Sequence, residues 1–179
     1  FKLFILMNFW YDHKQINWYI SLCSIDILKT NIISESCDDL PNPTTTGCIV
    51  AKGYITVNGY QYSFSTRGIN VVVFDYRSGI LEHRSKFDVL DSSTQQNSLA
   101  AFLNNLPVDK ILFMSVHDAV MMNNNLALAL QKYGISATFA TVNIPKVRCS
   151  LASISYTGKN RKSWEKSVNQ LNCIGMNLN

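Results

Sequence analysis

His117 and Asp118 are the neighbours in this chain best suited to chemistry. An imidazole can carry a proton, and a carboxylate can hold its ring in place. The pair closes an almost unbroken apolar run, Ile111 to Val116, which reads as a strand buried on both faces. Polar groups at the end of such a rigid strand are natural ligand contacts. Adjacent strand residues point to opposite faces, which argues against a base beside its orienting partner. No Gly-x-Ser-x-Gly elbow accompanies them. Ligand contact by Asp118 therefore stands against a solvated strand end, and catalysis by His117 is the weakest reading. Glu82, Asp88 and Asp91 are too scattered to join Asp118 in a glycosidase pair. Asp88 follows Phe87, where a capping role is expected. Asp75 reads as a turn acceptor rather than a metal ligand. There is no phosphate loop, dinucleotide fingerprint or metal motif, so no cofactor is expected.

Five cysteines stand at positions 23, 37, 48, 149 and 173, without a C-x-x-C or a zinc spacing. In an oxidising compartment Cys37, Cys48, Cys149 and Cys173 can pair, with Cys23 left over. Sequence does not choose among the three pairings. Bridges from the 37–48 segment to the 149–173 segment would close loops on the order of 100 residues, each worth about 4–5 kcal/mol in the chain-entropy picture. Free buried thiols in a reducing compartment are the alternative. Lys159, Arg161, Lys162 and Lys166 surround Trp164. They read first as a solvated C-terminal face, and second as a contact for an acidic polysaccharide or phospholipid.

The elements that must position these groups are legible in part. Ile49 to Val57 reads as a strand, and Asn58-Gly59 is a two-residue hairpin turn. Tyr60, Tyr62 and Phe64 alternate with Gln61 and Ser63, which predicts a half-buried partner strand. Residues 69–76 and 80–87 form a second hairpin around Arg77-Ser78-Gly79. Ser92 can cap a helix, with Gln95 as partner in a capping box. Leu99, Phe102, Leu103 and Leu106 fall on one helical face, which Pro107 ends. Asn124 or Asn125 can cap a second helix bearing Leu126, Leu130 and Tyr133, with Gly134 as its left-handed stop. Ile135 to Val142 and 151–157 read as strands, and Ser163 to Leu171 as a short terminal helix. Strands first, then alternating helix and strand, predict an α+β domain with sheets flanked by helices.

The 179 residues suit one domain, and 47% hydrophobic with 16% charged residues excludes a disordered chain. A net charge of +4 permits an anionic glycan or a membrane surface but falls short of a nucleic-acid footprint. The chain divides into 1–36, a leader or N-terminal extension; 37–160, the domain; and 161–179, a tail or short helix. The first part has an apolar stretch from Ile16 to Leu28, interrupted by Asn17 and Asp26, and a small-residue site at Ser34-Glu35-Ser36. It reads as a signal, an anchor or a structured extension. No run reaches the ~18 apolar residues of a standard transmembrane helix.

One pattern is more specific than these. Arg67-Gly68-Ile69-Asn70-Val71-Val72-Val73 is followed by Gly79-Ile80-Leu81 and Phe87-Asp88. Next come Leu99-Ala-Ala-Phe102-Leu103, the strand ending in Asp118, the helix ending in Tyr133-Gly134, and Arg148 before a last strand. Over about residues 48 to 158 this resembles the ILEI/PANDER domain family. That family includes FAM-three cytokine-like proteins, cell-migration-inducing hyaluronan-binding proteins and the stem domain of protein O-linked-mannose N-acetylglucosaminyltransferase. Tyr133 stands where the family has Leu, Cys149 where it has Asp, and Leu151 where it has Trp.

The resemblance implies two packed β-sheets flanked by helices, no catalytic activity and no cofactor. It implies a secreted or Golgi-lumenal recognition domain, carbohydrate-binding or cytokine-like. Its partners would be a glycan such as terminal N-acetylglucosamine or a cell-surface receptor, not nucleic acid, with a membrane reached only through an N-terminal anchor. Asp118 and Arg148 are the positions matching the family's sugar contacts. The alternative is a substrate-recruiting stem of a larger glycosyltransferase or hyaluronan-processing protein.

Overall fold

The computed structural model describes residues 5–7, 15–21, 27–34, 53–64, 66–90, 92–136, 140, 146–147, 150–158 and 162–168. The strands are β1 (Ile5–Met7), β2 (Gln15–Ser21), β3 (Ile27–Ser34), β4 (Gly53–Val57), β5 (Tyr60–Gln61), β6 (Gly68–Asp75), β7 (Leu81–Phe87), β8 (Lys110–His117), β9 (Ala119–Val120), β10 (Lys146–Val147), β11 (Ser150–Tyr156) and β12 (Lys162–Val168). The helices are α1 (Ser93–Asn104) and α2 (Asn124–Lys132). The central sheet has the order β12-β11-β8-β6-β7 and is antiparallel throughout. The second sheet runs β1-β2-β3-β4-β5, also antiparallel.

The two faces of the central sheet carry separate cores, as strand alternation requires. Ile69, Val71, Val73, Leu112, Met114 and Val116 pack with Leu99 and Leu103 of α1 and Leu126 and Leu130 of α2. Val72, Phe74, Ile111, Phe113 and Ile154 pack with Ile32, Ile55 and Val57 of the second sheet. The molecule is an α+β fold of two packed antiparallel sheets, with both helices on the outer face of the central one. Because β6 and β8 are covered on both sides, their sequences show continuous apolar runs. At the edge, β7 is half-buried, and Glu82, Arg84 and Lys86 point outward in alternation, a charge pattern that discourages edge-to-edge pairing.

Turn chemistry follows the sequence closely. Asn58 (φ 52°) and Gly59 (φ 82°) both take the left-handed conformation, as a type I′ hairpin needs. Asp75 Oδ1 accepts from the Arg77 and Ser78 backbone N–H groups at 3.0 and 2.8 Å. Ser92 Oγ caps α1 by accepting from Gln95 N–H. Gly134 (φ 82°) ends α2 in a Schellman motif: its N–H reaches the Gln131 carbonyl, and the Ile135 N–H reaches that of Leu130.

Four expectations change. The cap of α2 is Asn123, whose Oδ1 accepts from Leu126 N–H at 2.9 Å. That puts Leu126, three residues on, at the first inward position, so neither Asn124 nor Asn125 serves. The alternation after the Asn58-Gly59 turn breaks down: Tyr62 packs against the inter-sheet core, but Tyr60 is 72% exposed, Phe64 is exposed and Ser63 is buried. β5 leaves the ladder after two residues, and the Ser63 hydroxyl accepts from the Ile55 N–H at 2.6 Å in place of a backbone carbonyl. β4 is described from Gly53 onward. Ile135, Ser136 and Ala140, the described part of 135–142, are not in a strand. Residues 162–168 form β12 rather than a helix, since they find seven backbone partners on β11. Ahead of residue 37, where the sequence left a signal, an anchor and a structured extension open, β1, β2 and β3 are strands, and Ile32 is fully buried against the central sheet. Among the described residues no helix is long and apolar enough to cross a membrane.

At one end of the central sheet an ion-pair network ties the β6–β7 turn to the start of β8. Lys110 Nζ bridges Asp75 (2.8 Å) and Glu82 (2.7 Å), and Arg77 reaches Asp109 at 2.7 Å. Tyr156 Oη donates to the other Asp109 oxygen at 2.8 Å. The Lys110 ammonium and the Ser78 donors hold Asp75 well below the usual carboxylate range. The Tyr156 hydroxyl and Arg77 lower Asp109 likewise. Burial, then the Asp109 carboxylate, push Tyr156 up to about 12, and its two carboxylates raise Lys110. Lowered carboxylates stabilise the fold above their ordinary pKa of 3.8 and lose that contribution as pH falls. The raised phenol stabilises it below pH 10.0 and loses that contribution between there and about 12. Melting temperature measured against pH is expected to fall on both sides of this window; Tyr156→Phe is expected to flatten the alkaline limb and, because the Tyr156 hydroxyl also lowers Asp109, to weaken part of the acid limb. An unchanged alkaline limb in Tyr156→Phe would remove the phenol from this account.

Candidate functional site

The opposite end of the central sheet gathers the singled-out residues that the structure describes. There β6 begins at Gly68, β7 ends at Phe87 and β8 ends at His117. The ladder sets Gly68 opposite His117 and Ile69 opposite Phe87. Arg67 and Asp118, which flank Gly68 and His117, therefore emerge side by side from neighbouring strands.

The Arg67-Gly68-x-Asn70 pattern is a clasp. Arg67 Nε lies 3.1 Å from both Asp88 carboxylate oxygens, and Nη2 lies 2.9 Å from Oδ2. A planar guanidinium suits such a bidentate grip. The two side chains are 41% and 38% exposed, so the pair contributes modestly to stability, about 1 kcal/mol or less. Its larger effect is positional, because it locks the entry of β6 to the exit of β7. Asp88 is thus an ion-pair partner rather than the expected cap, a role that Ser92 fills. Gly68 has φ 112° and lies against the backbone of Phe87. Asn70 turns toward the second sheet and accepts from the Phe64 N–H at 3.1 Å. In the sequence Arg67 stands out only as the first residue of the Arg67-Gly68-x-Asn70 pattern. The missed signal was the matching Phe87-Asp88 at the other end of the hairpin.

His117 continues the inward face of Phe113 and Ser115 and is buried. Asp118 takes φ 66°, a left-handed backbone that non-glycine residues rarely adopt, and is half-buried. It breaks β8 and redirects the chain into β9. A hydrolase would need the two side chains to converge on a substrate, whereas His117 faces the inter-sheet core and Asp118 sits at the turn beyond it.

β9 pairs with β10, with Ala119 opposite Val147 and Val120 opposite Lys146. This register brings the residue after Asp118 to the residue before Arg148. Arg148 itself lies outside the described residues, as do Cys23, Cys37, Cys48, Cys149 and Cys173, so the candidate disulfides fall there too. Of the basic cluster, Lys162, Trp164 and Lys166 lie on β12, opposite Tyr156, Ile154 and Ala152; Lys159 and Arg161 lie outside the described residues. Among the described residues no three His, Cys, Asp or Glu side chains are placed to hold a metal.

Beside the clasp lies an open cleft of about 440 Å³, lined by Arg67, Lys86, Asp88, Ser92 and Gln95. All five liners are polar.

No curated protein matches the chain. The sequence profile of the family described as Interleukin-like EMT inducer (ILEI) matches residues 67–159, just over half of the chain. The match opens on Arg67, the first residue of the clasp, and spans the central sheet through β11 with both helices. A chain that keeps the clasp, the two-sided sheet and the helices in one continuous match is a member of the Interleukin-like EMT inducer family.

Proposed function

We propose that this protein is a non-enzymatic recognition domain of the secretory route, acting on carbohydrate through Asp118 and Arg148. The supporting observation is the β9–β10 ladder, which pairs Ala119 with Val147 and so brings together the chain positions next to these two residues. A carboxylate accepts from sugar hydroxyls, and a guanidinium donates to ring or acetamido oxygens in a fixed fork. Asp118 stands at the end of a strand buried on both faces, so its position is fixed before a ligand arrives, and little ordering cost falls on binding. Its left-handed backbone is the kind of local strain that concentrates at binding sites. The family's cytokine-like character supports secretion and makes a cell-surface receptor the second partner class.

Glycan-array binding by the full chain tests the reading. Terminal N-acetylglucosamine is the first sugar to score, with Asp118→Ala and Arg148→Ala each expected to lower binding at least about tenfold, the effect of losing one charged hydrogen bond. Melting temperatures close to that of the parent would show that the variants still fold. A folded parent chain that binds no glycan would refute the sugar assignment.

A further inference from the structure

β7 closes one side of the central sheet. Among the described residues it pairs with β6 and with no other strand. Every second residue of β7 therefore turns a backbone N–H and C=O away from the sheet, a row that an extended chain can match. The ladder to β6 is regular from the Ile69–Phe87 pair to the Val73–His83 pair and shifts register only beyond it. The edge is thus straightest along 83–87, away from the turn.

The side chains of this edge are sorted by face. Glu82, Arg84 and Lys86 are exposed on one side. Glu82 is already held by Lys110 at 2.7 Å. The Arg84 guanidinium rests over the Phe64 ring, 5.5 Å from its centroid. Neither Arg84 nor Lys86 is in an ion pair among the described residues. Two uncompensated cations therefore stand at alternate positions, about 7 Å apart at the usual strand rise. Alternate side chains of any extended partner repeat the same spacing. The helix side of the edge is aromatic. Phe102 of α1 stacks on His83 with centroids 4.5 Å apart and lies 6.2 Å from Phe87, and both phenylalanines are only partly buried.

Charge also chooses between occupants. Arg84 is the middle residue of β7, so a second copy pairing symmetrically would set Arg84 against Arg84. Like charges directly opposite one another destabilise a strand pair. A chain with carboxylates at those positions reverses the sign of that contact.

From this we infer that the β7 edge takes up an extended segment of a partner protein in which acidic and apolar side chains alternate. Backbone hydrogen bonds along 83–87 hold the segment as an added strand. Its carboxylates face Arg84 and Lys86, and its apolar side chains lie along Phe102 and Phe87. β6 separates this edge from β8 and Asp118, so the claim stands apart from the sugar reading.

The test titrates the full chain, by NMR and calorimetry, with an end-capped octapeptide that alternates Glu and Val. The peptide is expected to shift the amides of residues 82–86 and to slow their hydrogen exchange. The same peptide with Lys for Glu is expected to bind at least about tenfold more weakly, as two exposed ion pairs become two repulsions. Arg84→Glu combined with Lys86→Glu is expected to reverse that preference, with a melting temperature near the parent's showing that it folds. Two further peptides keep every charge and leave the protein unchanged. N-methylation at one alternate set of residues is expected to abolish binding, because it removes the N–H groups that face β7; methylation of the other set leaves binding in place. An acidic peptide that fails to bind, shifts that fall away from β7, equal binding of the Glu and Lys peptides, or equal binding of both N-methylated peptides would each overturn the inference. So would sedimentation showing a dimer whose interface maps to 82–86, which would give the edge to a second copy. Asp118→Ala is expected to keep the peptide while losing the glycan, so either claim can fail alone.

Discussion

Gly68→Ala is expected to unfold this protein at markedly lower temperature than the parent. Two independent costs fall on one methyl group. The first is conformational, because φ 112° lies where a side chain is strained whatever space surrounds it. The second is steric. A Cβ would overlap the Phe87 carbonyl oxygen and stand 2.9 Å from its carbon, and these are backbone atoms that cannot rotate away. Relief requires the start of β6 to move off the end of β7, which also opens the bidentate grip of Arg67 on Asp88. Backbone strain and lost packing together should cost about 3 kcal/mol or more, a fall in melting temperature of roughly 6–12 °C for a chain of this size. Differential scanning calorimetry reads this directly. Arg67→Ala is the control for the clasp alone: it removes a half-exposed pair and should cost about 1 kcal/mol or less. A Gly68→Ala chain that melts within a degree of the parent would show that the two strands separate freely there, and the positional role given to the clasp would fall.

This glycine shows what could be read from the sequence and what could not. In the sequence it stood out as part of the Arg67-Gly68-x-Asn70 pattern ahead of a β-branched run. The close approach to Phe87 was invisible, because it depends on the register of a hairpin closed nearly twenty residues later. Local signals were read well: the Asn58-Gly59 turn, the Ser92 cap and the Gly134 stop each depend on a few adjacent residues. Signals set by tertiary partners were read badly. Lys162 to Val168 carries residues that suit a helix face or an edge strand equally, and only β11 beside it decides. Ser63 looked like the outward member of an alternating pair, but the unpaired N–H of Ile55 draws it inward. At the candidate site, Asp118 was marked by the apolar strand before it. The cleft of Lys86, Ser92 and Gln95 was not, because its members come from a strand edge and a helix start that only the fold brings together.

The largest side chain among the fully buried residues supports the second large effect. Phe113→Ala is expected to destabilise the protein by about 3–5 kcal/mol, the range for emptying an aromatic site in a packed core. Phe113 lies at the centre of β8, the middle strand of the central sheet, and faces the second sheet. Its ring meets Phe74 edge-on at 5.9 Å and 85°, and Phe74 meets Tyr62 in the same way at 5.2 Å and 78°. Deleting it therefore removes buried area and one end of an aromatic chain, whose pairs add about 0.5–1.5 kcal/mol beyond area. Phe113→Leu keeps most of the volume and should cost far less. Urea denaturation of both variants separates a cavity from an unfolded chain. Ile32 in β3 belongs to the same cluster, so a double-mutant cycle of Phe113→Ala with Ile32→Ala carries the sharper question. Residues in contact couple by about 0.5–3 kcal/mol, whereas independent sites add. Coupling in that range would mean that a strand from the first 36 residues is a working layer of the fold, stabilising the sheet whose far end presents Asp118. Simple additivity would detach that strand from the core and leave the central sheet and its helices to stabilise the family domain alone.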